Sequence, residues 1–349
     1  MTWMIYGATG YTGQLVVEEA LKRGHRPLLA GRNPDKLDVL AEQYDLDYVA
    51  FRLDDERTIA EAIADVDVVY HAAGPFIHTS DPMIRACLAT NTHYIDITGE
   101  ITVFENTYTY DDAARKVGVG LVSGAGFDVV PSDCIATYVA NQVMGATHLE
   151  TAIFALDGIS QGTSKTAVES ASVGLGMRRN GQLVPMGFAK YTQSLTLPDG
   201  KTRQVASFPW GDVSVSYRTT GIPNITSYLS IPPTIATVGR ITYPIASQLM
   251  KIGAVRNLAK SLIERYVEGP DEQARQNGQS YIHARAWNNQ GQSASAWLTT
   301  VEAYRYTAEI GVLAVESMLE RNPIGALTPV QAFGVDFTLE IEGTTRIDV

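Results

Sequence analysis

Cysteine is nearly absent from this chain: Cys87 and Cys134 are the two among 349 residues. Both fall in apolar, helix-like contexts, so buried thiols are expected rather than a disulfide. An apolar run of about 18 residues is also missing, and no charged n-region with an apolar h-region precedes the first strand-like segment. These absences lead us to expect a cytoplasmic protein. Basic residues are few, 27 Lys+Arg against 38 Asp+Glu for a net charge of −11, which argues against non-specific nucleic-acid binding. Repeats and low-complexity tracts are lacking. No tyrosine is followed four residues on by a lysine, which disfavours the short-chain dehydrogenase mechanism. No Gly-x-x-x-x-Gly-Lys-Ser/Thr loop and no zinc-like His/Cys spacing occur, so kinase and hydrolase readings fall away and no metal is expected.

What the chain does have is a glycine turn very near its start. Gly7-Ala8-Thr9-Gly10-Tyr11-Thr12-Gly13 follows the strand-like Met4-Ile5-Tyr6 and opens a helix-like run. Strand, glycine turn and helix form the context of a dinucleotide site. Gly7 permits the turn, Gly10 admits a pyrophosphate close to the backbone, and Gly13 allows helix and strand to pack closely. The helix N-terminus then favours the phosphate charge. The second strand ends Ala30-Gly31-Arg32-Asn33 without an acid. An acid there would bind ribose hydroxyls, whereas Arg32 suits a 2′-phosphate, so NADP is the expected cofactor. Asp54, after the third strand, is a candidate contact to the adenine amino group or else belongs to a helix N-cap.

With 45% apolar and 19% charged residues, the chain is long enough for two globular domains. Strand-like and helix-like segments alternate through residue 126, which implies a parallel sheet covered by helices, a doubly wound α/β domain over residues 1–130. Helices are expected at Asp81–Thr90 and Val103–Lys116. Beyond Pro131 strand-like runs gather, which implies an α+β domain over 131–349 with a mostly antiparallel sheet. Val213–Tyr217 reads as one strand, Lys165–Arg178 as a helix, and Asn288-Asn289-Gln290-Gly291 as a hairpin turn.

Several ordered motifs go further. His71-Ala72-Ala73-Gly74-Pro75-Phe76, Tyr94-Ile95-Asp96-Ile97-Thr98-Gly99-Glu100 and Gly126-Phe127-Asp128-Val129-Val130-Pro131-Ser132-Asp133 join the glycine turn and Gly31-Arg32. Together they resemble the saccharopine dehydrogenase-like oxidoreductases, nearest the branch of trans-acting enoyl reductases. The resemblance is dense over the first 135 residues and sparse through Ser160–Thr163, Pro209–Asp212, Tyr304–Ala308 and Leu327–Pro329. It implies a Rossmann domain with Ala73, Gly74 and Pro75 beside the nicotinamide half, and Thr98–Glu100 and Ser132-Asp133 lining an interdomain cleft. His71 stands where the family more often has Asn, and Ser80-Asp81 replaces a usual glycine, which puts the substrate in question.

In hydride transfer the protein positions the acceptor and handles a proton. Candidate proton donors are His71, Tyr94, Glu100, Asp128, Asp133 and Lys165, each with a plainer alternative such as a core histidine or a helix cap. The substrate is expected to be a small molecule, an enoyl or other acyl group. A saccharopine-type substrate would instead need converging arginines, for which Arg178, Arg179, Arg203 and Arg218 are available. A non-catalytic NADP-binding redox sensor is a third reading. Finally, residues 234–266 carry Ile235, Val238, Ile241, Ile245, Leu249, Ile252, Val255, Leu258 and Leu262 at helical spacing, with five cations against Glu264. A helix bent at Pro244 is expected, either packed on the second domain or meeting anionic lipid or an acyl-carrier partner. A homodimer is a further expectation.

Overall fold

The computed structural model describes residues 2–155, 175–266 and 271–349. The chain forms two compact units, one of Met1–Thr98, Thr102–Val130 and Tyr304–Gly334, the other of Gly99–Ile101, Pro131–Ala303 and Val335–Val349. Tyr304–Gly334 thus counts with the first unit, although the sequence reading puts it in the second domain. The cause is a short strand, Gly325–Leu327, that pairs in parallel with Gly120–Val122.

Among the described residues, the first unit holds a seven-stranded sheet. Its strands are β1 (Trp3–Tyr6), β2 (Leu28–Gly31), β3 (Tyr48–Ala50), β4 (Val68–His71), β5 (His93–Asp96) and β6 (Gly120–Val122), then Gly325–Leu327. Every pairing is parallel, in the order β3-β2-β1-β4-β5-β6 and then Gly325–Leu327. Strand order reverses between β1 and β4, where doubly wound folds bind ligands at the carboxyl ends. The strands can run apolar from end to end because helices cover both faces. Met4, Val69, Ile59, Ile63, Met83 and Leu121 share one core cluster.

The connecting helices are α1 (Tyr11–Lys22), α2 (Pro34–Tyr44), α3 (Glu56–Ala62) and α4 (Phe76–Thr90). α4 starts five residues before the expected Asp81 and carries Pro82 inside it. Pro82 reads from sequence as a first helical residue, which misplaces the start. The single helix expected over Val103–Lys116 is two, Ile101–Thr109 and Asp111–Val117. Cys87 and Cys134 are buried free thiols.

The helix Ala303–Arg321 packs on this sheet through Gly311. A Cβ there would lie 2.5 Å from the Tyr70 hydroxyl oxygen and 2.9 Å from its ring. Tyr70 is fully buried on β4, so it has nowhere to retreat.

The second unit is a mixed sheet. Its path runs Thr192–Thr196, Thr202–Ser207, Asn224–Ser230, His148–Ala155, Gln279–Trp287, Ser293–Val301, Thr345–Asp348, with Leu175–Arg179 and Gln182–Pro185 attached beside it. Asn224–Ser230 pairs in parallel with His148–Ala155, and among the described residues the other strand pairs of this sheet are antiparallel. Gln279–Trp287 and Ser293–Val301 form the expected hairpin, closed by Asn288 N–H donating to Gln292 O at 3.0 Å. Ala152, Phe154, Val205, Tyr228 and Trp297 form a core beneath this sheet.

Two local expectations are overturned. Val213–Tyr217 lies in a helix, Asp212–Thr220, which buries Val213, Ser214, Val215 and Ser216 alike. A short apolar alternation does not separate a strand from a buried helical turn. The described end of the expected Lys165–Arg178 helix is instead the strand Leu175–Arg179. It turns through Asn180 (φ 49°) and Gly181 (φ 78°), the Asn-Gly pair that a tight hairpin favours.

The Gly311 contact makes a prediction. Gly311→Ala should lower stability by about 1–3 kcal/mol despite the better helix propensity of alanine, because overpacking against Tyr70 outweighs that gain. Urea unfolding measures this; an unchanged or raised midpoint would refute the close contact.

Candidate functional site

The first unit gathers its most unusual backbone at the carboxyl ends of β1 and β4. Gly7 adopts φ +93°, and a Cβ on it would sit 2.9 Å from Ala72 C and Ala73 N. The loops after β1 and β4 therefore lie back to back. A Cβ on Gly13 would lie 2.2 Å from the Gly7 carbonyl oxygen, so α1 approaches the strand end as closely as backbone allows. Gly10 N–H donates to Gly7 O at 2.9 Å and closes the turn.

The N-terminus of α1 is left open. Its N-cap, Gly10, offers no side-chain hydrogen bond, and no acid stands in the first turn. By contrast α2 is capped by Asn33, which accepts from Lys36 N–H, and α3 by Asp55, which accepts from Thr58 N–H. Uncapped N–H groups and the positive end of the helix dipole favour an anion. Thr9 and Thr12 are half-buried around this turn, and the Tyr11 ring stands edge-on to Tyr304 at 5.1 Å. Across from it, Gly74 is exposed in the cis Gly74-Pro75 step that leads into α4. Thr79 steadies that loop by donating to Ala73 O at 2.8 Å.

The ends of β2 and β3 each carry an arginine, Arg32 and Arg52. Arg32 is exposed. Asp54 pairs with Arg52 at 2.8 Å, and it is Asp55, not Asp54, that caps α3. The charges of Arg32 and Arg52 both favour ionisation of the Tyr6 phenol, and that of Asp54 opposes it. Burial nonetheless pushes Tyr6 up to about 12. Sequence reasoning passed over Arg52. A basic residue just past a strand that adjoins β2 is the signal that would have found it.

The candidate proton donors fare differently. His71 is fully buried among Tyr6, Phe76 and Tyr94 rings, and burial pushes its pKa down to about 3. Its Nε2 lies 3.1 Å from Thr79 Oγ1, and burial among rings favours the neutral imidazole of a core histidine. Tyr94 is also buried, donating to Asp96 Oδ2 at 2.9 Å. Glu100 is buried in the second unit and Asp128 half-buried in the first. Asp133 is buried in the first turn of the helix Val130–Asn141 and accepts from Thr219 Oγ1 at 2.8 Å. Lys165 lies outside the described residues.

The buried carboxylates of Asp96 and Asp212 were not anticipated. Asp96 ends β5 and accepts four hydrogen bonds, from Thr98 N–H, Gly124 N–H, Ser123 Oγ and Tyr94 Oη. Burial raises its pKa, and the four donors oppose that rise. It buckles together the loops that follow β5 and β6. In the second unit Asp212 accepts from Ser132 Oγ and Thr151 Oγ1, each at 2.6 Å. Burial pushes Asp212 up to about 6.

Comparison with known proteins agrees with this geometry. A family profile described as NAD(P)H-binding matches residues 7–118. A saccharopine dehydrogenase-like oxidoreductase of Bos taurus is 28% identical over 191 residues, 47% of this chain and 44% of the relative. A trans-acting enoyl reductase of Mycobacterium ulcerans is 33% identical over 140 residues, 37% of this chain and 33% of the relative. The matches thus span less than half of those relatives' lengths. Apo saccharopine dehydrogenase (L-Glu forming) from Saccharomyces cerevisiae shares the fold, with a TM-score of 0.65 at 10% identity over 100% of this chain and 99% of that one. The resemblance drawn from the motifs is borne out, and the first unit carries an NAD(P)H-binding domain of the kind found in an oxidoreductase family.

Two outcomes follow. Gly13→Ala should weaken nucleotide binding by about tenfold or more, since its Cβ would push α1 off the backbone of Gly7 and misplace the phosphate cradle; undiminished affinity by fluorescence titration would refute the cradle. For Asp212, the folded chain favours the protonated form. Its stabilising effect is therefore present below the ordinary carboxylate range and lost as pH rises through about 6. The stability difference between the native chain and Asp212→Asn should fall by about 3 kcal/mol between about pH 4 and pH 7. A difference that stays constant with pH would refute the assignment.

Proposed function

We propose that this protein is an NADP(H)-dependent oxidoreductase that reduces an enoyl or related apolar acyl substrate. The observation that carries the cofactor choice is Arg32 at the end of β2, where an NAD-type site would hold an acid, with Arg52 following the neighbouring strand β3. A guanidinium matches a phosphate monoester in charge and in its fork of donors. Bound there, NADP(H) would supply the hydride. The chain's own part is to hold it: the open N-terminus of α1 meets the pyrophosphate, Arg32 and Arg52 meet the 2′-phosphate, and the Ala73–Pro75 loop supports the nicotinamide half. Asp54, already paired with Arg52, orients that arginine in this reading and does not contact adenine directly.

The acyl substrate rests on likeness to the trans-acting enoyl reductase. The saccharopine-type alternative loses some of its means of recognition. Arg178 is buried, donating to Val213 O and Gly181 O and lying 4.1 Å over the Tyr217 ring. Arg179 donates to Thr226 Oγ1. Arginines committed to the protein's own carbonyls and hydroxyls are poorly placed to receive several carboxylates. Turnover of NADPH with an enoyl thioester separates the enzyme from the redox-sensor reading, which requires binding without turnover.

Titration with NADPH and NADH tests the cofactor. Arg32→Ala and Arg52→Ala should each cost about 1.5–3 kcal/mol of NADPH binding, tenfold or more, and leave NADH affinity unchanged. Equal affinity of the native protein for both nucleotides would overturn the assignment.

A further inference from the structure

The stretch 234–266 folds as two helices, Pro233–Met250 and Gly253–Tyr266. The break falls at Lys251-Ile252, and Pro244 is carried within the first helix. The first helix is docked inside out. The side facing its own unit uses small residues: Ala236 is buried, and a Cβ on Gly239 would meet the Phe188 ring at 2.4 Å. Tyr243 stacks on the same ring at 5.7 Å. The large aliphatics point the other way. Ile235, Val238, Ile241, Ile245 and Leu249 are 46% to 72% exposed. At the α-helical repeat they fall within an arc of about 120°. Ile252 in the turn and Leu258 in the second helix extend this surface at 52% and 62% exposure.

Scattered exposed aliphatics need no explanation, but a contiguous row of them marks an interaction surface. The charge around it is distinctive. In sequence the stretch holds Arg240, Lys251, Arg256, Lys260 and Arg265 with a single acid, Glu264, in a chain of net charge −11. Arg240 is tied back to Ala189 O, but exposed Lys251 adjoins Ile252 at the edge of the row. Among the described residues no helix is long and apolar enough to cross a membrane. An apolar stripe edged by cations, on a helix too polar to span, has the character of an element that lies in the plane of a lipid surface.

We propose that the helices Pro233–Met250 and Gly253–Tyr266 dock the protein on an anionic lipid surface, the aliphatic row entering the acyl boundary and Lys251 meeting headgroup phosphates or carboxylates. A second copy fits less well, because a two-fold contact through this face would bring two basic surfaces together.

Co-sedimentation of the full chain with phosphatidylcholine vesicles, with and without phosphatidylserine, tests this. The native protein should pellet with the anionic vesicles and less so as salt is raised. Ile241→Ser with Ile245→Ser should weaken that binding by about tenfold or more. Lys251→Gln should weaken it by about fivefold on anionic vesicles alone. NADPH affinity and the unfolding midpoint should stay unchanged in both variants, since these side chains are exposed in the second unit. Failure of the native protein to pellet, or undiminished pelleting of the double serine variant, would overturn the proposal. So would a dimer dissolved by that variant without vesicle binding, or capture by an acidic acyl-carrier protein in place of vesicles.

Discussion

The first unit depends on one backbone contact, the passage of α1 across the end of β1 at Gly13 and Gly7. Nothing larger than hydrogen fits between Gly13 and the Gly7 carbonyl. That closeness fixes where the helix begins and therefore where its first N–H groups are held. The same Gly7 lies against the Ala72-Ala73 backbone, so one residue sets the spacing of the β1 and β4 loops. The proposed phosphate site is made of backbone and is only as well placed as the strands beneath it, both of which are buried along their length. Preorganised N–H groups then need no rearrangement when a charge arrives.

Asp96 performs a comparable task at the other half of the sheet. Its carboxylate is removed from water, which costs free energy, and four donors offset that cost. Those donors come from β5 itself and from the segments after β5 and β6. Gly126 is then clasped between Ile97 and Thr307, and Phe127 N–H donates to Thr307 Oγ1. The helix Ala303–Arg321, distant in sequence, thereby stiffens the loop carrying Asp128. Hydroxyls and amides around a buried acid position a loop more firmly than apolar contact alone, since their geometry is directional.

Much of the first unit was legible because glycine spacing and strand–helix alternation are local signals. Gly7, Gly10 and Gly13 each have a steric reason visible in the sequence, and the missing acid after β2 is equally local. The hairpin at Asn288–Gly291 was legible for the same cause. What escaped was non-local. Gly325–Leu327 reads as nothing until β6 offers its edge, and Asp96 reads as a polar interruption until Ser123 and Gly124 fold over it. His71 misled because a titratable side chain at a strand end is indistinguishable, by residue type, from one sealed under Phe76. Val213–Tyr217 misled because five residues fit both periods, and the Asn180-Gly181 pair, a local turn signal just past the expected helix, was passed over.

The helix Pro233–Met250 shows a further limit of periodicity. Its aliphatic spacing correctly announces a helix with one apolar face, but the moment of that pattern does not say which side the protein takes. Burying the larger face is the usual outcome because burial scales with apolar area. Here the other face carries Ala236, Gly239 and Tyr243, and Phe188 occupies the space that a larger residue at position 239 would need. Docking through small residues and aromatic stacking leaves the greater apolar area in water. That arrangement forgoes burial energy which rotation of the helix would recover, so the exposed row is a feature of the fold and not a lack of alternatives. The informative signal was the size of the residues opposite the aliphatic row, a comparison between faces that a count of apolar positions does not make.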